Sequence, residues 1–186
     1  MIILASTSPR RIELLGKLTK DFKTISPLFD EKTISKSIKN YPLEMSKNKA
    51  NSVKNLAEPQ DFLISCDTIV KYKDQILGKP KDLEEAKKFL RMLSGKCHKV
   101  ITGTTILYKD KTYYKTTTSY VFFEKLSEKD IEEYIKKVNV LDKAGGYAAQ
   151  NNEEAHVVKK IMGDYYNVIG FPLGYIEKML KKFKLI

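Results

Sequence analysis

Hydrophobic positions change their spacing several times along the chain, and each spacing predicts a kind of element. Short apolar or alternating runs rich in β-branched and aromatic residues are typical of strands. They predict strands over residues 2–5, 22–26, 61–72, 99–108 and 112–123, with a further strand candidate over 156–162. Apolar residues at intervals of three or four predict helices over residues 8–18, 42–56, 82–93, 128–138 and 172–183. This alternation indicates an α/β domain in which helices flank a mixed sheet.

Capping and breaking residues mark the ends of several of these elements. Asp82 and Ser127 are suitable N-caps, Gly95 suits a C-cap, and Pro42 stands near a helix start. The Leu-Gly-Lys-Pro run at residues 77–80 breaks regular structure, and the polar residues 30–41 predict a loop. The segments 99–108 and 112–123 flank Lys-Asp-Lys and predict a β-hairpin.

The length of 186 residues suits one globular domain, residues 1–186, with room for two lobes. Cys66 and Cys97 do not have a metal-ligand spacing, and one pair is too few for a secreted disulfide scaffold. The apolar run over residues 1–6 lacks a preceding basic segment and is too short for a signal peptide or a membrane span. A cytoplasmic protein with reduced thiols is therefore expected.

The charge of the chain is strongly positive, with 34 Lys and Arg against 23 Asp and Glu, a net charge of +11. This balance allows a nucleic-acid binder, a membrane-surface protein or an enzyme that acts on polyanionic small molecules. The lysines are spread evenly, and many lie on predicted helix faces, which is typical of a solvated surface. Charge alone therefore does not decide between these classes.

An unusual helix start follows the first predicted strand. Ser8 is a suitable N-cap, and Pro9 suits the first helical position. Arg10 and Arg11 then place two cations in the first turn, where each opposes the helix dipole at a cost of about 0.3–1 kcal/mol. A bound anion would remove the conflict, because free N–H groups, the Ser6 and Ser8 hydroxyls and both guanidinium groups would converge on it. The alternative is that both arginines are exposed and that the fold tolerates the cost.

The same segment is the first of a series of motifs spread along the whole chain. They are LASTSPRR at 4–11, Glu31, KA at 49–50, SCDTIV at 65–70, LGKP at 77–80, LSGKCHKV at 93–100 with TG at 102–103, DKAGGYAAQ at 142–150 and YNVIGFP at 166–172. Their order and spacing resemble those of the Maf family, nucleotide pyrophosphatases once named septum-formation inhibitors. The resemblance implies a Maf/ITPase-like fold, an elongated mixed sheet with a central cleft between two lobes, and a homodimer.

The resemblance also implies hydrolysis at the α-phosphorus of a nucleoside triphosphate, which yields a monophosphate and pyrophosphate. The site must neutralise about four negative charges before water can attack. The residues expected to do so are Arg10, Arg11, Lys49 and Lys79, with the hydroxyls of Ser6 and Ser8 also binding substrate. Taken alone, each lysine would be interpreted as a surface residue. This interpretation is less fitting for Lys79, because Lys79 is fixed between Gly78 and Pro80. Lys49 and Lys79 are expected to be catalytic.

Two acidic residues complete the predicted catalytic centre. Asp67 is expected at or near the end of an apolar strand, where α/β domains build sites. The resemblance implies that Asp67 is the general base for the attacking water, whereas alone it could equally cap a neighbouring backbone. Glu31 could hold Mg²⁺ or Mn²⁺ together with Asp67, since Mg²⁺ needs only one or two carboxylates plus substrate phosphates. Without the resemblance, Glu31 would be read as a solvated loop residue.

The resemblance also implies which nucleotide base is selected, through the residues that follow the Asp-Lys-Ala-Gly run at 142–145. One Maf subfamily has Tyr followed by Gln there and resembles enzymes acting on dTTP and UTP; the other has Phe followed by an acidic residue and prefers methylated guanine nucleotides. Tyr147 and Gln150 place the chain with the first. A Gln amide offers a donor and an acceptor, which match N3–H and O4 of uracil and thymine. The resemblance also implies that Arg10 and Thr68 contribute to specificity.

Other residues of these motifs are interpreted more modestly. His98 follows a helix C-terminus, where a structural role is favoured over that of a base, and Cys66 is interpreted as a small buried residue, not a nucleophile. Asn151 and Phe171 depart from the usual family residues, Gly and Leu. The competing hypothesis is a basic nucleic-acid-binding or cell-division regulatory module without catalysis, which no helix-turn-helix, RNP or zinc-finger pattern supports.

Overall fold

The computed structural model describes residues 1–37, 39–151 and 156–186. Within these ranges the chain forms seven strands and six α-helices. The strands are β1 (Ile2–Leu4), β2 (Phe22–Thr24), β3 (Phe62–Tyr72), β4 (Gln75–Leu77), β5 (Cys97–Tyr108), β6 (Lys111–Phe123) and β7 (Val158–Met162). The helices are α1 (Pro9–Gly16), α2 (Tyr41–Val53), α3 (Leu83–Leu93), α4 (Glu128–Lys137), α5 (Tyr165–Ile169) and α6 (Leu173–Lys182). Every helix in these ranges is too short or too polar to span a lipid bilayer.

The strands form one mixed sheet in the order β2-β1-β3-β5-β6-β7, with β4 paired to β3. β1 runs parallel to both β2 and β3, whereas β3 with β4 and β6 with β7 are antiparallel. β5 and β6 form the predicted hairpin, and its turn residues Lys109 and Asp110 both have positive φ. The predicted class, an α/β fold with a mixed sheet flanked by helices, is confirmed.

Several predicted boundaries need correction. β4 and α5 were not predicted, because three- and five-residue elements are too short to show a periodicity. The predicted loop over residues 30–41 contains a 3-10 turn, Glu31–Thr33. The predicted helix over residues 42–56 ends at Val53 and continues as a 3-10 turn, Lys54–Leu56. Asp82 caps α3 as expected by accepting a bond from the Glu85 N–H at 2.8 Å, and the Glu85 carboxylate accepts the Lys81 N–H, one residue before the cap.

The chain divides into two compact units, each formed from several segments. Unit 1 comprises residues 1–67, 102–117 and 170–186, and unit 2 comprises residues 68–101 and 118–169. Unit 1 buries Ile3 and Leu63 of the sheet, together with Ala5 directly after β1, against Ala50 and Val53 of α2. Unit 2 has a larger core, in which the buried residues of α3 and α4 pack with those of β5, β6 and β7. The two lobes around a cleft stay a prediction.

A glycine lets α2 approach the sheet in unit 1. Gly103 lies in β5, and a Cβ placed there would overlap the backbone of Pro42 and Leu43 in the first turn of α2. Only a residue without a side chain allows this approach of helix and strand. The contact positions the helix that carries Lys49.

Candidate active site

The turn between β1 and α1 in unit 1 contains the predicted anion-binding residues. Ser8 takes the N-cap position, but its hydroxyl makes no capping bond to α1, and Ser8 N–H instead donates to Ser6 Oγ at 3.1 Å. Arg11 Nε donates to the Gly170 carbonyl oxygen at 2.9 Å, and one of its terminal nitrogens lies 3.5 Å from Ser6 Oγ. Arg10 and Arg11 are both half-buried, which argues against the alternative that they are exposed surface residues. The segment therefore concentrates hydroxyls, N–H groups and guanidinium groups at one helix start.

Lys49 joins the two predicted acidic residues within unit 1. It lies on the buried face of α2, and its Nζ contacts Asp67 Oδ1 at 2.6 Å and Glu31 Oε1 at 2.7 Å. The side chains of Lys49 and Asp67 are only 11% and 12% exposed, whereas that of Glu31 is 61% exposed. Burying an ammonium and a carboxylate is costly unless the two charges are paired. The ammonium therefore compensates the buried carboxylate, and Glu31 adds a second negative charge from the solvent side.

The structure corrects the prediction that Asp67 lies at or near the end of its strand. β3 continues to Tyr72, so Asp67 lies inside the strand. The pairing of β3 with β1 covers only Phe62–Ile64, and Asp67 lies three residues past this ladder. The neighbouring strand has therefore ended, and Asp67 stands beyond the carboxyl end of the parallel pair, where open α/β sheets form their sites.

Charges from the predicted anion-binding turn and from the Lys49–Asp67 pair both affect Cys66 of β3. Burial raises the pKa of the Cys66 thiol, with the nearby positive charges of Arg11 and Lys49 opposing this rise. Cys66 is fully buried, as predicted, and its sulfur lies 3.5 Å from Thr104 Oγ1. Arg11 and Lys49 therefore both lower the pKa of a residue that directly precedes Asp67.

Tyr41 is a neighbour of the acidic pair that the sequence analysis did not single out. It begins α2 and is buried. Burial, then the negative charges of Asp67 and Glu31, raises the pKa of its phenol. The signal that could have found it is an aromatic residue directly before Pro42 at a helix start.

The pair Glu31 and Asp67 fits a sparse metal site. Among the described residues, no three His, Cys, Asp or Glu side chains cluster as a metal site. Each contact of Lys49 uses one of two carboxylate oxygens, so both carboxylates keep a second oxygen that could bind a cation. Two carboxylates with the remaining ligands from water and phosphate suit Mg²⁺, whereas Zn²⁺ would require more nitrogen or sulfur ligands.

The other predicted site residues lie in unit 2. Thr68 directly follows Asp67 on β3, Lys79 is exposed after β4, and Gln150 is exposed in the 3-10 turn Ala149–Asn151. The Gly145 N–H donates to the Gly78 carbonyl oxygen at 3.0 Å. This bond connects the block of Lys79 to the block that ends in Gln150.

A buried pair of aromatic rings supports the Gln150 block. His98 Nε2 lies 2.7 Å from the Tyr147 hydroxyl, and the two residues are 2% and 5% exposed. β5 begins at Cys97, so His98 is part of this strand, which was predicted to begin at residue 99. Burial lowers the pKa of His98 from 6.5 to about 4, so the ring is neutral at pH 7.

The low pKa of His98 predicts acid sensitivity of the fold. Between pH 6.5 and 4 the unfolded chain binds a proton that native His98 does not, so the free energy of unfolding falls as the pH falls. The expected loss over this window is roughly 3 kcal/mol, at about 1.4 kcal/mol per pH unit. Denaturant unfolding at several pH values should show a smaller pH dependence in His98→Phe than in the wild type. His156→Phe, at the exposed second histidine, should behave as the wild type; equal slopes for all three proteins would contradict the prediction.

Comparison with known proteins adds a family to this geometry. A family model described as Maf-like protein matches residues 1–183. A protein of Lachnoclostridium phytofermentans named dTTP/UTP pyrophosphatase is 40% identical over 189 residues, which cover 98% of this chain and 94% of the relative. A protein of the same name from Thermosipho melanesiensis is 43% identical over 179 residues, which cover 96% of this chain and 96% of the relative. Another, from Pyrococcus abyssi, is 41% identical over 181 residues, which cover 97% of this chain and 95% of the relative. The chain belongs to the Maf family.

Proposed function

We propose that this protein hydrolyses dTTP and UTP, or modified forms of these nucleotides, to the monophosphate and pyrophosphate. The observation that carries the proposal is the buried Asp67 carboxylate, which Lys49 contacts at 2.6 Å in the same unit as the arginine-rich start of α1. Relatives about 40% identical over nearly the whole chain bear the name dTTP/UTP pyrophosphatase. A triphosphate requires both features, cations for its phosphates and a base for the water.

The first step in this proposal is binding of the triphosphate by the start of α1. Arg10 and Arg11 supply two guanidinium groups, which suit phosphate oxygens because they can bind two oxygens at once. The Ser6 and Ser8 hydroxyls and the N–H groups of the first turn add neutral donors. Binding of the anion there removes the conflict between two cations and the positive end of the helix dipole.

Proton transfer in this proposal is assigned to Asp67. Its carboxylate accepts a proton from the water that attacks the α-phosphorus, and pyrophosphate leaves from the opposite side. Lys49 orients the carboxylate and adds positive charge where negative charge develops on the phosphoryl oxygens. Lys79 provides a further cation. A divalent metal held by Glu31 and Asp67 would supply Lewis-acid charge to the phosphate oxygens.

Lys49 and a metal would compete for the carboxylates of Glu31 and Asp67. Replacing Lys49 is therefore expected to strengthen metal binding while it lowers turnover. In Lys49→Met the ammonium no longer neutralises Glu31 and Asp67, so Mn²⁺ should bind at least about 10-fold more tightly. Turnover should fall, because the substitution also removes a catalytic cation. Mn²⁺ titration followed by electron paramagnetic resonance measures the affinity without substrate. Lys47→Met, which removes the half-buried partner of Glu44 on the same helix, is the matched control. Equal or weaker Mn²⁺ binding by Lys49→Met would contradict the metal assignment.

Gln150 is proposed to select the base. Its amide can accept from N3–H and donate to O4 of uracil or thymine, whereas a carboxylate can only accept. Gln150→Glu is therefore expected to lower kcat/KM for UTP and dTTP about 10- to 100-fold, with a smaller loss for GTP. Gln75→Glu makes the same change of charge at an exposed position of β4 and should leave the selectivity unchanged. The same selectivity in Gln150→Glu and the wild type would refute the assignment.

A nucleotide panel with Mg²⁺ or Mn²⁺ tests the proposed function. Canonical nucleoside triphosphates and modified pyrimidine analogues are compared by pyrophosphate release. The proposal predicts the highest kcat/KM for dTTP, UTP or a modified pyrimidine, and no pyrophosphate from any of these would overturn it. No specific observation favours the nucleic-acid-binding alternative. Several lysines of the basic surface are paired with glutamates three or four residues away, within α2, α3, α4 and α6 and at the end of α1. The homodimer and the cytoplasmic location stay predictions.

A further inference from the structure

Three rings of unit 2 pack edge to face, and one of them, Tyr147, belongs to the segment that carries Gln150. The His98 and Phe123 centroids are 5.1 Å apart, those of Phe123 and Tyr147 4.8 Å, and those of His98 and Tyr147 5.2 Å. The interplanar angles of 76°, 87° and 80° show that in each pair the edge of one ring meets the face of the other. The only polar contact that this structure describes between the three is the 2.7 Å approach of His98 Nε2 and the Tyr147 hydroxyl.

His98 brings two polar ring nitrogens into the core that these three rings form. His98 is neutral at pH 7, because burial lowers its pKa to about 4. Its Nδ1 is buried and has no hydrogen-bond partner among the described residues. An unpaired buried nitrogen destabilises the folded state, and an apolar ring would avoid the loss. Packing alone therefore does not account for a histidine, whereas a bond that directs the Tyr147 hydroxyl does.

Further bonds hold the residues on either side of Tyr147. The Ala148 N–H donates to the Tyr134 hydroxyl at 2.9 Å, and Gly145 is tied to Gly78 as described above. Gly145 has a φ of 74°, and a Cβ there would lie 3.0 Å from the Val70 side chain. Backbone from Gly145 to Ala148 is thus fixed by separate elements of unit 2. The exposed Gln150 follows two residues later.

We propose that His98 is a positioning residue for substrate choice: its hydrogen bond to Tyr147 fixes the segment over residues 144–150, so that the Gln150 amide is presented in one orientation. The inference rests on the proposed role of Gln150 in reading the base. His98 does not touch the nucleotide in this account. It acts through Tyr147, whose hydroxyl is the single atom that distinguishes this position from phenylalanine.

UTP and CTP test the proposal, because they present opposite donor and acceptor patterns on the same edge of the ring. Tyr147→Phe and His98→Phe should each lower the ratio of kcat/KM for UTP to that for CTP about 5- to 10-fold. The double variant should lower it no further, since both substitutions remove the same bond. Phe123→Leu weakens the packing of the same rings but keeps the bond, so its ratio should equal that of the wild type. If the bond contributed only to stability, the kcat/KM values for UTP and CTP would fall together and every ratio would stay unchanged, which would overturn the proposal. A ratio in Phe123→Leu that shifts as it does in Tyr147→Phe would also overturn it.

Amide hydrogen exchange gives a readout that does not depend on catalysis. Tyr147→Phe removes one oxygen atom and carries the test if His98→Phe does not fold. Peptides covering residues 144–150 should exchange several-fold faster in Tyr147→Phe than in the wild type, while peptides of β1 and α1 in unit 1 should not change. Unchanged exchange over residues 144–150 would overturn the positioning role. A wild type that hydrolyses no nucleotide would instead refute the proposed function, and the exchange result would still decide whether the bond fixes the segment.

Discussion

Asp67→Asn is expected to lower kcat for dTTP about 10²- to 10⁴-fold, the range that general-base catalysis contributes. An amide keeps the size of the carboxylate and can still accept the bond from Lys49, which lies 2.6 Å from Asp67 Oδ1. It cannot take a proton from water. Glu31 continues to pair with Lys49, so the ammonium is not left without a partner. The variant should therefore fold and bind nucleotide but not turn it over, which circular dichroism and steady-state kinetics measure together.

The matched control is Asp21→Asn, an exposed aspartate between α1 and β2. This change has the same chemistry and the same loss of charge in unit 1, and it should leave kcat as in the wild type. If Asp67→Asn retained the turnover of Asp21→Asn, Asp67 would not be the base. If it lost its fold, Asp67→Glu would separate a catalytic loss from a structural one, because the longer acid retains a basic oxygen.

Gly103→Ala is expected to lower the free energy of unfolding by about 3 kcal/mol or more, at the upper end of overpacking effects. The added methyl group would overlap the backbone of Pro42 and Leu43, and a backbone cannot rotate aside as a flexible side chain can. α2 must then move away from β5. Because α2 carries Lys49, activity should fall as well as stability, and urea unfolding followed by circular dichroism measures the loss.

Gly174→Ala is the control for this substitution. Gly174 lies in α6, and a Cβ there would meet no atom within 4 Å. In a helix, alanine is favoured over glycine by up to about 1 kcal/mol, so this variant should be as stable as the wild type or more so. Equal stability of Gly103→Ala and Gly174→Ala would show that α2 does not approach β5 as described.

Elements with strong local signals were predictable from the sequence. Ser127 marked the start of α4 because its hydroxyl accepts the N–H of Asp130, and the Asp130 carboxylate accepts the Ser127 N–H in return. The hairpin of β5 and β6 was evident from two long β-prone runs around Lys-Asp-Lys. β4 was not, since a three-residue strand has too few positions to alternate. Gly103 was quoted only as part of a motif, although a glycine within a strand pattern can mark a close approach of backbone.

Relations between distant segments limited what the sequence could reveal of the site. Asp67 was expected at or near a strand end, but its surroundings depend on where β1 ends, and the pattern of β3 does not contain that information. His98 was interpreted from its position after the preceding helix, whereas its hydrogen-bond partner Tyr147 lies 49 residues further along the chain. The ammonium of Lys49 between two carboxylates could not be read from spacing either. The motifs therefore identified these residues, whereas their contacts with one another could be seen only in the structure.

Identification of the bond that breaks tests the central claim most directly. ³¹P nuclear magnetic resonance of dTTP incubated with the protein and Mg²⁺ resolves the two possible product pairs. Attack at the α-phosphorus, activated by Asp67, predicts dTMP and pyrophosphate in equal amounts, with neither product formed by Asp67→Asn. Formation of dTDP and orthophosphate, or no change in dTTP and UTP, would contradict the account.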